Sequence, residues 1–108
     1  MEKLIQDMKE HGKVFIVGEF RGHRTETINY VSKKSGQVSA FSHLVFLVER
    51  SGKADSVSIS KPIKESEVDS VNVVIKKGQI CAFEISTLKN ERGFITAKMP
   101  ATAEPLPI

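Results

Sequence analysis

The chain has 108 residues, 40% of them hydrophobic and 27% charged, with 16 Lys and Arg against 13 Asp and Glu for a formal net charge of +3. That length argues for one domain, and the composition is that of an ordinary folded soluble protein rather than a disordered chain. A single Cys argues against a disulfide-stapled secreted module and a multi-Cys zinc site, and no apolar run reaches the roughly 18–20 residues of a membrane-spanning helix.

The positive balance is mild. It permits a polyanionic partner without requiring one, since a charge of this size also serves solubility. Sparse Cys and the polar opening Met1-Glu2-Lys3-Leu4-Ile5-Gln6-Asp7 give an expectation of a reducing, cytoplasmic setting with no signal peptide.

In chain order, residues 3–11 place Leu4, Ile5 and Met8 on one helical face, with Gly12 as a stop, so residues 1–12 read as a short helix or arm. From Lys13 the period falls to two. Residues 13–20 and 24–31 are rich in β-branched and aromatic types, and Gly18 and Gly22 between them suggest one long strand with a bulge or bend. Residues 32–36 form a turn. Residues 37–50 are the best strand pattern, with mostly apolar even positions, and Val38, Ala40, Leu44, Phe46 and Val48 are assigned to the core face. Ser51-Gly52 reads as a tight hairpin link into a strand over residues 54–60. Residues 61–77 read as a connecting excursion, helix or hairpin; Ser66-Glu67-Val68-Asp69 resembles a helix cap while residues 71–75 favour extended chain. Two more strands, residues 80–88 and 94–99, flank a polar loop at residues 89–93, and residues 101–108 read as a flexible tail.

Five short strands leave open edges as a flat sheet, and curling removes them. A long bent first strand can pair on both sides of a small barrel. The pattern therefore implies a mainly all-β domain over residues 13–100, a five-stranded OB-fold-like Greek-key barrel with a short N-terminal helix. The chain resembles OB-fold single-stranded-DNA-binding proteins and is similar to the filamentous-bacteriophage type. The likeness lies in the Ser35-Gly36 turn, the long strand 38–49, the Gly78 turn before residues 80–88, the loop 90–93, and the close at Met99-Pro100. It departs from that type in offering Tyr30 alone for tyrosine stacking, and it lacks the acidic C-terminal tip of bacterial single-strand-binding proteins.

Single strands need a positive track for phosphates and flat side chains for exposed bases. The barrel reading puts Arg21, His23 and Arg24 at the bend, Lys33 and Lys34 in the first turn, and Lys89 and Arg92 in the last loop. Any one of these is equally at home as solvated surface. Phe41 falls out of phase with the core positions and should point outward beside Ser39 and His43, covered by a base, by the N-terminal helix or by a second copy. Tyr30 and Phe94 are further stacking candidates, whereas Phe15, Phe20, Phe46 and Phe83 read as core. Cys81 reads as a small buried hydrophobe, three scattered His suggest no metal site, and no spacing suggests a catalytic constellation or a cofactor.

The resulting expectation is a non-catalytic, cytoplasmic single-stranded-DNA-binding protein, bacterial or phage, that coats strands during replication or recombination and forms a homodimer or higher oligomer. Two alternatives stand beside it. One is an RNA-binding or cold-shock-like OB module. The other is an assembly barrel whose outward Phe41, Val45 and Leu47 form an oligomer interface.

Overall fold

β-Branched and aromatic residues keep the chain extended from Val14 to Val31, and this 18-residue strand, β1, is the spine of the molecule. The computed structural model describes residues 2–50, 56–92 and 94–108. Ahead of β1 lies α1 (Glu2–His11), which buries Leu4 while Ile5 and Met8 stay exposed. After it come β2 (Val38–Arg50), β3 (Ser56–Ile63), a 3-10 turn (Glu65–Glu67), β4 (Ile80–Ile85), β5 (Thr87–Glu91), β6 (Phe94–Lys98) and β7 (Leu106–Pro107). The expected Ser51-Gly52 link lies outside the described residues.

The protein is mainly β, one curled seven-stranded sheet that forms a half-barrel in the order β5-β6-β3-β2-β1-β4-β7. Five strands were expected. The extra ones arise because residues 80–91 divide at Ser86 into β4 and β5, and because Leu106–Pro107 pairs with Ala82 and Cys81 of β4. Ser86 donates from both its backbone N–H (2.7 Å) and its hydroxyl (3.1 Å) to the carbonyl of Lys98. β4 and β5 lie toward opposite flanks of the sheet yet are one chain, so the sheet must curl. Direction counting agrees: β1 is antiparallel to β2 and β4, β2 to β3, and β5 to β6, which leaves β3 and β6 parallel, as observed.

β1 changes partner along its length. Val14 to Glu19 pair with β4, and Gly18 to Val31 pair with β2, with a bulge between Phe20 and Gly22. Gly22 sits at φ +138°, a backbone region that side chains disfavour. At Gly18 the backbones close up: a Cβ there would lie 2.6 Å from the Glu49 carbonyl oxygen and 2.6 Å from Val48 Cγ1.

The concave side of the curl is filled by Phe20, Phe46, Phe83, Val48, Val57, Ile59, Cys81 and Met99, with Phe46 tilted against Phe83 at 5.5 Å between centroids and edge-on to Phe20 at 6.1 Å. Phe15, expected in the core, is only half-buried. The excursion after β3 is neither helix nor hairpin. Only one turn at Glu65–Glu67 is helical, closed by the Glu67 carboxylate accepting from the backbone N–H of Lys64 at 3.1 Å. Beyond it an irregular chain buries Ile75 and lays Val71 and Val73 on the core. β3 also runs past its expected end, through Pro62, because β6 pairs only as far as Ser60 and a missing N–H on that side costs nothing.

The ends of the β1–β2 hairpin project. Among the described residues, 25–31 of β1 pair with β2 alone, and 38–41 of β2 with β1 alone. Val38 and Ala40, assigned to the core by phase, are therefore exposed. The radius of gyration is 15.2 Å, against about 13 Å for a compact domain of this length. Residues 101–108, expected as a free tail, fold back instead: the ammonium of Lys61, which is only 7% exposed, meets the Glu104 carboxylate, and Ile108 N–H donates to Ile80 O at 3.0 Å.

Gly18→Ala should cost about 1–3 kcal/mol, because the added methyl meets a neighbouring backbone carbonyl that cannot retreat without unzipping β2. Urea unfolding monitored by circular dichroism reads this directly; an unchanged midpoint would show that the approach at Gly18 is not a constraint.

Candidate nucleic-acid interface

Side chains alternate along a strand, so cross-strand partners share a face. On the side away from the core the pairing builds a row across five strands: Arg24 of β1, Val45 of β2, Ser60 of β3, Lys98 of β6 and Thr87 of β5. Two residues further along lies a second row, Leu47, Ser58, Thr96 and Lys89. Between these rows runs a groove of about 400 Å³ whose lining includes Arg24, Glu26, Ser58, Ser60, Lys89 and Lys98.

The same face continues onto the projecting hairpin. His43 pairs with Glu26, Phe41 with Ile28 and Ser39 with Tyr30, so Phe41 and Tyr30 belong to the side that carries the groove. Phe41 is 54% exposed. At the opposite margin Phe94, 76% exposed, pairs with Glu91 on the face of Thr96 and Lys98. Six expected site residues, Arg24, Tyr30, Phe41, His43, Lys89 and Phe94, thus share one face.

The others are placed differently. Lys33 and Lys34 are exposed at the hairpin tip, where Ser32 N–H donates to Gln37 O at 2.9 Å and closes the loop. Arg92 is exposed in the β5–β6 turn at φ +52°. Arg21 stands at the bulge, bonded to Glu19 at 3.0 Å and within 3.6 Å of Glu49, so two carboxylates already answer its charge. His23 pairs with Phe46 and stacks on Phe20 at 6.4 Å, which puts it on the core side of the sheet, away from the groove. Lys89 lies within a strand, because pairing with β6 extends β5 through the expected loop. Val45 was expected to be exposed and is 4% exposed, buried beneath the groove.

Charge on this face is uneven. Arg24 is partly answered by Glu26 at 3.6 Å, so the β1 side of the groove is nearly balanced. Lys89 and Lys98 line the other side of the groove. Lys98 and the hydroxyls of Ser58, Ser60, Thr87 and Thr96 are site residues that the sequence did not single out. Their only signal is alternation along strands whose neighbours lie far away in the chain.

Among the described residues no three of His, Cys, Asp and Glu converge as a metal site would need, and no helix is long and apolar enough to cross a membrane. Cys81 is wholly buried, and burial pushes its thiol above the ordinary value. The folded state therefore holds this proton more tightly than the unfolded chain does. The associated stability is complete below the unfolded thiol's pKa and is lost as pH rises through the folded one. Unfolding free energy should fall from about pH 9 upward, and Cys81→Ala should flatten that alkaline decline relative to wild type in paired denaturation series. An identical decline in both proteins would assign the pH dependence to other groups.

Comparison with models of protein families, with curated proteins and with solved structures finds no match to this chain.

Proposed function

We propose that this protein binds single-stranded DNA without catalysis, holding the strand across the outer face of an OB-type barrel by stacking and phosphate neutralisation. The observation that carries the reading is the placement of exposed Phe41, Tyr30 and Phe94 on the same side of one sheet as a groove edged by Lys89 and Lys98. Aromatic platforms beside a positive track are what an unpaired strand requires, whatever its sequence. A long first strand shared between two partners, and a strongly curled sheet, support the OB-type reading.

A second reading has its own observation. Val31 and Val38 pair on the hairpin's other face and are both exposed, and strand binding leaves them unexplained. An assembly surface on the hairpin would cover them.

Phe41 separates the two. If a base covers it, Phe41→Ala should weaken oligonucleotide binding by about 1–3 kcal/mol on any base, with melting temperature and oligomer size unchanged. Earlier melting or a smaller oligomer, with wild-type affinity, would move Phe41 to the assembly reading.

The cations make a separate prediction. Lys34→Ala and Lys98→Ala should each flatten the slope of log K against log salt by roughly 0.7, equally for all sequences. Arg21→Ala should leave the slope alone, since Glu19 and Glu49 already hold that guanidinium. Fluorescence anisotropy titrations across a salt series provide the slopes, and a loss at Arg21 equal to that at Lys98 would refute this placement of the phosphate track.

A further inference from the structure

Resting on the single-strand reading, the geometry points to a division of labour within this face: the groove takes the sugar–phosphate backbone, and the bases turn toward the hairpin. Size alone does not decide what the groove holds. About 400 Å³ is within the range of small-ligand sites, so a base would also fit.

Chemistry decides it. Among the described residues no aromatic side chain lines the groove, so a base placed there finds no π-face. The lining offers instead four hydroxyls, Ser58, Ser60, Thr87 and Thr96, beside the ammonium groups of Lys89 and Lys98. Hydroxyls and cations are the groups that contact phosphate oxygens, and such contacts position a strand without reading its sequence. The hydroxyls alternate along three neighbouring strands, with Ser58 opposite Thr96, Ser60 opposite Lys98 and Thr87 opposite Lys98. They therefore form a strip that crosses the sheet. Strands about 4.8 Å apart make this three-strand strip about 10 Å wide, room for a short stretch of backbone.

The flanks have the opposite character. Ile28, Tyr30 and Phe41 stand exposed on the hairpin, on the same side of the sheet as the groove. At the β1 end Glu26 is paired with Arg24, so that end offers phosphate little net attraction. A backbone following the strip thus keeps to β3, β6 and β5; Phe94 stands at the strip's outer margin, and the broader apolar surface of Ile28, Tyr30 and Phe41 lies toward β1 and β2.

The test compares a labelled thymidine oligonucleotide with an abasic strand of equal length, at one low salt concentration. The proteins are wild type, Ser58→Ala/Ser60→Ala, Lys98→Ala and Phe41→Ala, each first shown by thermal unfolding to be folded. The groove variants should weaken both strands by the same factor, about tenfold, and Phe41→Ala should weaken the thymidine strand alone. The proposal is overturned if the serine variant weakens thymidine binding but not abasic binding, since the groove would then be reading bases. It is equally overturned if the groove variants bind both strands like wild type, or if wild type binds thymidine and shows no detectable hold on the abasic strand. Wild type that binds neither strand refutes the single-strand reading itself, and that result is distinct from all the others.

Discussion

Gly18 and Glu19 are the two residues of β1 that have strand partners on both sides, Arg50 and Glu49 in β2, Cys81 and Ile80 in β4. At this point one strand is shared between two, and the backbones approach too closely for a Cβ. The rest of the sheet depends on that contact. It lets β1 leave β4 and continue with β2, and the bulge that follows increases the local twist. Without the crossing, β4 would not reach the sheet from that flank, and Cys81 and Phe83 would have no place in the core. A small side chain at one position thus governs pairing across most of the molecule.

The bulge also sets the faces. One extra residue before Gly22 reverses which side chains of β1 point to the core. Phe20 and His23 consequently lie on the core side, three residues apart, while Arg24 turns outward over Val45. The proposed strand-binding face therefore owes Arg24 to the bulge, and loses His23 to it. A similar economy operates at the β4–β7 side of the half-barrel. There the buried stem of Lys61 carries its charge out to Glu104, and the C-terminal residues are held against the sheet. Apolar cover from Ile75, Val71 and Val73 completes the core without a helix.

Much of this organisation is legible along the chain wherever it is local. The alternation through Leu44, Phe46 and Val48 assigns them inward and Phe41 outward, and that phase is what the structure has. Gly18 and Gly22 mark the bend because only a residue without a side chain suits such a site. The same local logic fails where burial depends on distant neighbours. Val38 and Ala40 keep the inward phase but lie beyond the last residue that β3 can cover. Phase says which way a side chain points. It cannot say whether anything lies there.

The sequence by itself determined the elements whose cause is short-range: the predominance of strands, the long bent first strand, the phase of β2, and the burial of Phe20, Phe46, Phe83 and Cys81. Tertiary structure alone decided which strands became neighbours. The parallel pairing of β3 with β6 joins Ser58 to Thr96 and Ser60 to Lys98 across nearly forty residues, and no periodicity in either segment encodes the other. The hydroxyl strip and its lysines exist only through that pairing. The reason is physical: an alternating strand specifies its own two faces, whereas its partner is chosen by the closure of the whole sheet around a shared core.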